Sequence, residues 1–199
     1  MKIVTLVSGG IDSALILTKF LEKGYDVYPL HINYNHLAEP KEWDSCQKIC
    51  KKLGIRPYRM DIPGFGKLPS GLTVQDVDIY EHAFLPTRNL VFITLGAAYG
   101  YTKSANVVAI GLLVDHMFPD QTREFVDKAE ISISAALGTN IHVLTPLIKL
   151  NKVEVLRLAD KYDLVKMTYY CHSGTEPPCG KCISCKERIN AERILNDTK

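Results

Sequence analysis

The chain carries no surplus of charge and no long apolar run. Its 24 basic residues face 22 acidic ones, a formal net charge of +2, so no broad electrostatic field draws it to nucleic acid. No apolar stretch approaches the ~20 residues that a bilayer span requires, which excludes a membrane-spanning helix. The opening residues form an apolar run, Ile3-Val4-Thr5-Leu6-Val7, rather than a basic region, apolar core and cleavage site, so no secretory signal is expected. Internal repeats, charge blocks and low-complexity segments are also missing. What remains is ordinary: 199 residues, 46% hydrophobic and 23% charged, fit one globular domain with room for a small appendage. A cytoplasmic location is expected. Thiols stay reduced there, so the six cysteines need an explanation other than disulfides.

The most informative stretch is Val7-Ser8-Gly9-Gly10-Ile11-Asp12-Ser13-Ala14, set between the first apolar run and Leu15-Ile16-Leu17. The order is a buried strand, a tight glycine turn and a helix start. A helix start exposes unpaired N–H groups and the positive end of the peptide dipole, and a loop wrapped onto it is an anion site. Gly9 and Gly10 let the backbone approach a ligand and supply any positive φ that the turn needs. Ser8 and Ser13 offer hydroxyls to phosphate oxygens, and Asp12 can hold Mg²⁺ or cap the helix. The same letters can serve a plain strand-to-helix turn, but serines on both sides of the glycines and an embedded aspartate favour phosphate. A Walker loop is excluded, because no lysine follows these glycines until Lys19. A dinucleotide fingerprint is excluded because the two glycines are adjacent. The stretch resembles the S-G-G-x-D-S loop of the N-type ATP pyrophosphatases, which cleave ATP between the α and β phosphates to adenylate a carbonyl or carboxyl oxygen.

Along the rest of the chain, short apolar strands alternate with helices of 10–15 residues. Helices are expected over Asp12–Lys23, Glu39–Leu53, Asn89–Tyr101, Glu124–Leu137 and Asn151–Tyr162, the first two ended by Gly24 and Gly54. Further strands are expected over Val27–Ile32, Arg56–Met60, Asn106–Gly111 and Ile141–Val143. Asp61–Gly71, rich in proline and glycine, reads as a loop able to cover a site. The long helix from Asn89, rich in alanine and leucine, reads as buried, against either the core or a second copy of the chain. This alternation predicts βαβ units: an α/β fold with a doubly wound, mostly parallel sheet. Ligands of such sheets bind beyond the carboxyl ends of the strands, where the glycine loop sits.

Near the end, Cys171, Cys179, Cys182 and Cys185 form C-x₇-C-x₂-C-x₂-C, with Pro177, Pro178 and Gly180 suited to a sharp knuckle. Four thiolates converging on one tetrahedral ion make a closed structural Zn²⁺ site. A redox pair and an iron–sulfur cluster use similar spacings. His172 can replace one thiolate, although its adjacency to Cys171 suits a neighbour better than a ligand. Cys46 and Cys50, four apart on a helix, read as one buried and one partly exposed thiol. The expected organisation is an ATP-binding domain over residues 1–165 and a small zinc-binding segment over 166–199 packed on it.

Taken in order, the pyrophosphatase loop, F-L-P-T-R-N, P-D-Q-T-R-E-F, P-L-I-K-L-N-K and the cysteine cluster resemble the 7-cyano-7-deazaguanine synthases of queuosine and archaeosine biosynthesis, over nearly the whole chain. The resemblance implies an adenine nucleotide alpha hydrolase-like fold, ATP with Mg²⁺, structural Zn²⁺, and a ligase using ATP twice on 7-carboxy-7-deazaguanine. The carboxylate would be adenylated and displaced by ammonia to the amide, then the amide adenylated and dehydrated to the nitrile. It implies that Ser8, Gly9, Gly10, Asp12 and Ser13 hold the β and γ phosphates, and that Arg88 and Asn89 are the family's R-N pair. A cation and an amide at a helix opening suit a phosphate or a purine-like edge, and equally a surface arginine and an N-cap. Gly111, Asp115, Asp120, Arg123 and Glu124 would belong to the substrate pocket, with Asp115 or Asp120 accepting from a guanine-like edge. Lys149 would stabilise charge as AMP is attached, where otherwise it is a solvated lysine. The chain departs from the family where F-D-Y-G-Q-R-H becomes Ile32-Asn33-Tyr34-Asn35-His36-Leu37-Ala38, where P-D-C-R-P-E-F becomes Pro119 to Phe125, and in a shorter loop from Gly111 to Asp120. Those changes touch the acceptor. A related enzyme adenylating another acceptor, such as a tRNA base for amidation or thiolation, and a nucleotide sensor on the same fold are the competing readings.

Overall fold

The structure, a computed structural model, describes residues 1–74, 83–115 and 117–197. Five strands, β1 (Lys2–Leu6), β2 (Asp26–Asn33), β3 (Tyr58–Asp61), β4 (Val107–Ala109) and β5 (His142–Leu144), form one sheet in the order β3-β2-β1-β4-β5. Every pairing is parallel, and β1 is central: Ile3 lies between Val27 and Val107, Thr5 between Pro29 and Ala109. Among the described residues, six α-helices connect and cover the strands: α1 (Ile11–Glu22), α2 (Glu39–Lys52), α3 (Arg88–Thr102), α4 (Arg123–Leu137), α5 (Lys152–Asp160) and α6 (Ile183–Asp197).

Successive side chains of a strand point to opposite faces, and a parallel sheet must cover both. Ile3 and Val7 go to the face packed by α1, α2 and α5, where Leu15, Ile16 and Leu17 are all buried. Val4 and Leu6 go to the opposite face, against Ile93 and Ala97 of α3 and Val126, Ala129 and Ile133 of α4. Each fully buried leucine or isoleucine contributes roughly 1.5–3 kcal/mol. Three apolar neighbours in a row bury α1 nearly all round.

Helix α3 sits close on the sheet because glycine faces it. A Cβ at Gly96 would lie 2.9 Å from Val108 Cγ1, and one at Gly100 2.7 Å from the Ala105 carbonyl oxygen. The expected burial of this helix holds for one face only, since Tyr101 is 61% exposed. Strand β4 is shorter than Asn106–Gly111 because its ladder to β5 covers only three residues. The residues after it turn out to line a cavity.

Helix α6 has no counterpart among the elements read from the sequence. Its inward stripe is Cys185, Arg188 and Ala191, and an arginine in that stripe hides the helical period. Arg188 donates through Nε to Glu192 and through Nη2 to the Val165 carbonyl and lies over the Tyr170 ring, while its buried Nη1 has no partner among the described residues; Ala191 joins the core beneath α5. The chain runs outward from β1 through β2 to β3, then crosses to β4 and β5. That reversal leaves a crevice between the carboxyl ends of β1 and β4.

Candidate active site

The turn after β1 lies at this crevice. Gly9 adopts φ +95°, and a Cβ there would run into the carbonyl oxygen of Glu42 on α2, so only glycine fits. Gly10 is the extended N-cap of α1, and no side chain among the described residues caps the helix. Its first N–H groups are left for an anion. Ser8 Oγ accepts from the Gly10 N–H at 3.2 Å, and Ser13 Oγ donates to the Gly10 carbonyl at 3.0 Å. The two hydroxyl oxygens lie 3.5 Å apart. Asp12 does not cap the helix either: Lys152, at the start of α5, donates to both of its carboxylate oxygens at 3.0 and 2.8 Å. From the C-terminal segment, the Tyr169 N–H donates to the Gly9 carbonyl at 3.1 Å and clamps the turn.

A cavity of about 310 Å³ opens above this turn. Of the residues singled out from the sequence, Val7, Ser8, Gly10, Ile11, Asp12, Ser13, Arg88, Asn89, Gly111 and Asp115 line it. Gly9 and Ala14 support the turn from behind, Ala14 fully buried in the core. Asp120, Arg123, Glu124 and Lys149 are not in its wall. Asp120 is buried and caps α3, accepting the Asn89 backbone N–H at 3.1 Å while its carbonyl takes the Asn89 side-chain amide at 2.9 Å. Arg123 is turned to Asp127 and to Val143 and Thr145 near β5. Glu124 is an exposed partner of Lys128. Lys149 is exposed, and Lys152, three positions on, supplies the lysine at the loop. His116, inside the loop from Gly111 to Asp120, lies outside the described residues.

The structure adds side chains that sequence reading missed. Tyr34, His36 and Glu42 line the end of the cavity near α2, with His172 and Arg88 beside them. His36 stacks on Tyr34 with ring centroids 4.1 Å apart and planes at 10°, and its Nε2 lies 2.9 Å from Glu42 Oε2. Burial opposes ionisation of Glu42, but His36, His31 and His172 together outweigh it and hold the carboxyl below the usual glutamate value. Burial pushes the Tyr34 hydroxyl up to about 12. Glu187 of α6 also lines the cavity. Burial raises its pKa, Lys152 opposes that, and Asp12 and Asp115 add to it. Tyr34 and His36 stood in the sequence only within the stretch that departs from the family; a histidine six residues before a glutamate carries no signal by itself.

The four C-terminal cysteines converge. Their sulfurs all lie within 4.8 Å of one another, with Cys179 Sγ and Cys185 Sγ 3.8 Å apart. A tetrahedron with Zn–S bonds of ~2.3 Å has edges of about 3.8 Å. Backbone N–H groups of Lys181 and Cys182 point at Cys179 Sγ, that of Cys179 at Cys171 Sγ and that of Cys185 at Cys182 Sγ, at 3.3 to 3.4 Å. Burial alone would raise Cys179, yet its hydrogen bonds bring the thiol down to about 6, close to the thiolate form that a metal requires. The cluster is fit to hold a metal ion. His172 is outside it among the described residues. Cys46 and Cys50 are both fully buried, which corrects the expectation that one is partly exposed. Helix α2 turns both onto the core beside α1. The Cys50 contact and burial push the Cys46 thiol far upward, so it stays protonated.

Comparison with known proteins supplies the decisive observation: the model of the queuosine biosynthesis protein QueC matches residues 2–195. The chain belongs to the QueC family. It is 31% identical to the 7-cyano-7-deazaguanine synthase of Sulfurimonas denitrificans over 98% of this chain and 94% of that one. With the synthase of the same name from Picrophilus torridus it shares 32% identity over 94% of this chain and 84% of that one. Among solved structures, NMN synthetase from Francisella tularensis superposes with a TM-score of 0.59 at 16% identity, covering 98% of this chain and 76% of that one. A 4-thiouridine synthetase solved with RNA and bound ATP gives 0.58 at 16% identity, covering 98% of this chain and 50% of that one. At such identities these two establish the shared fold, the adenine nucleotide alpha hydrolase-like sheet, and nothing finer.

Proposed function

We propose that this protein is an ATP-dependent, carbon–nitrogen bond-forming ligase that converts 7-carboxy-7-deazaguanine and ammonia to 7-cyano-7-deazaguanine in the cytoplasm. The observation that carries the reading is the uncapped start of α1 at the sheet's reversal, with Ser8, Ser13, Asp12 and Lys152 around it, in a chain of the QueC family. The N–H groups of the turn and the two serine hydroxyls receive the β and γ phosphates. Lys152 stabilises charge on the departing pyrophosphate, the task that sequence reading gave to Lys149. Magnesium keeps water and phosphate oxygens and asks as little as one carboxylate of a protein, which Asp12 can provide. When bound, it neutralises phosphate charge. Zinc fits the four thiolates as a structural ion, since a single ion suits sulfurs this close together. On this reading residues 1–165 carry the chemistry, and 166–199 form the zinc-held segment that clamps the turn through Tyr169.

The acceptor carboxylate attacks the α phosphorus and pyrophosphate leaves. Ammonia then attacks the acyl carbon and AMP leaves with the carboxylate oxygen, giving the amide. The amide oxygen attacks a second ATP, pyrophosphate leaves, and departure of AMP with loss of both N–H protons gives the nitrile. Arg88 faces this end of the cavity and suits the charge that builds on the acyl oxygen. Asp115 remains the candidate reader of the guanine-like edge. Thiolation of another acceptor would need an accessible thiol outside the metal cluster, and Cys46 and Cys50 are buried. Incubation with ATP, 7-carboxy-7-deazaguanine and ammonium is expected to yield AMP, pyrophosphate, the amide and then the nitrile. Absence of pyrophosphate would overturn the reading and make a modified tRNA base the next acceptor to try.

A further inference from the structure

Both nitrogen-handling steps of that reaction need a base. Ammonium must lose a proton before it attacks, the tetrahedral adduct sheds another, and the amide nitrogen gives up two more on the way to the nitrile. Three histidines line the cavity, and each leaves one buried ring nitrogen without a hydrogen-bond partner among the described residues: His31 Nε2, His36 Nδ1 and His172 Nδ1. They are not equivalent. His31 uses its Nδ1 on the Val7 carbonyl at 2.9 Å, a tether from β2 to the turn. His172 adjoins the cysteine cluster, and no carboxylate among the described residues bonds its ring. His36 is 7% exposed, and its Nε2 meets Glu42 Oε2 at 2.9 Å. A carboxylate can only accept, so Nε2 carries a hydrogen, and in the neutral ring Nδ1 keeps its lone pair. An imidazole held by a carboxylate through one nitrogen, with the other free, is arranged as a general base. The pair also stands beside the phosphate turn, since the Glu42 carbonyl is the atom that excludes a side chain from Gly9.

We propose that His36 is a catalytic base in both half-reactions, taking the proton from nitrogen through Nδ1, and that Glu42 is the positioning residue that holds it in that tautomer. The charged and titratable groups around the pair among the described residues are Arg88 on α3, His31 on β2, Tyr34 just after that strand and His172 on the C-terminal segment. The proton passes from nitrogen to imidazole and then to solvent, so the step needs no further reactant. Departure of AMP and the proton balance the new C–N bonds.

The inference rests on the synthase reading, and the partial reactions separate the two. In His36→Gln, ATP–pyrophosphate exchange dependent on 7-carboxy-7-deazaguanine should persist, because adenylation moves no nitrogen proton. Formation of amide from ammonium and of nitrile from added amide should each fall by ~10²-fold or more, the scale of a lost general base. Hydroxylamine, largely unprotonated at neutral pH, should still trap the adenylate as hydroxamate. Glu42→Gln should show the same pattern more weakly, and an unchanged melting temperature in either variant checks the fold. Exchange and amide formation falling together would mark a structural role and overturn the proposal, as would unchanged amide formation. Absence of exchange in the unmodified protein would overturn the synthase reading and the base with it.

Discussion

At Asp12 two demands meet on one side chain. Lys152 grips both carboxylate oxygens, while the proposed function asks that carboxylate to hold Mg²⁺ beside the phosphates. Asp12 is only partly buried and supports no core, so Asp12→Ala should leave the fold intact while AMP formation falls at least ~10²-fold, the cost of removing one stabilising group from a developing anion. Wild-type AMP release from this variant would remove the turn from the chemistry. The two nearby lysines make a sharper comparison. Lys152→Ala should lower pyrophosphate release by a similar ~10²-fold, because its ammonium is the cation beside the turn. Lys149→Ala should leave the rate unchanged, since Lys149 is exposed and outside the cavity wall. Equal losses in the two variants would restore Lys149 to the site. Tyr34 offers a test by pH. Its hydroxyl is pushed up to about 12 by burial, so folding favours the neutral phenol. That contribution is full below the ordinary tyrosine value of ~10 and is lost as pH rises toward 12, by about 1.4 kcal/mol per unit. Denaturation at a series of alkaline pH values should show Tyr34→Phe losing less stability over this window than the unmodified protein.

At the scale of elements, two contacts carry unusual weight. Helix α3 approaches the sheet through Gly96 and Gly100, and the Gly100 neighbour is backbone rather than a side chain that can swing away. Gly100→Ala should therefore destabilise the protein by roughly 1–3 kcal/mol through overpacking, seen as a lower denaturation midpoint at constant slope. The second contact joins the cysteine cluster to the phosphate turn through the Tyr169 N–H and the Gly9 carbonyl. Removal of the metal by a chelator should release one zinc ion per chain and increase hydrogen exchange over α6 and residues 166–182. The sheet should stay protected, while adenylation falls because the turn loses its clamp. Iron in the metal analysis, or unaltered exchange after chelation, would contradict this.

Across the whole molecule, the parts legible in the sequence were those governed by local rules. The alternation of strand and helix, the glycine turn after Val7 and the C-x₂-C steps each arise from neighbours a few residues apart, and the sheet and the cysteine cluster follow them. Boundaries slipped where the partner strand decides them, as at β4, whose ladder ends with the three residues of β5. Helix α6 escaped because its buried stripe contains Arg188, which reads as a surface residue until Glu192, the Val165 carbonyl and the Tyr170 ring are brought around it. The acceptor end of the cavity shows the same division. Asp120, a plausible reader of a purine edge in one dimension, is consumed in capping α3. His36 and Glu42, which no spacing rule connects, become a hydrogen-bonded pair because the connection after β2 turns tightly into α2, with the Glu39 N–H donating to the His36 carbonyl. The sequence by itself determined the fold class, the glycine turn at the helix start and the converging cysteines, since each is written in short-range spacing. Only the tertiary structure decided which lysine reaches the turn and which carboxylates stay free, because these depend on side chains brought together from distant parts of the chain.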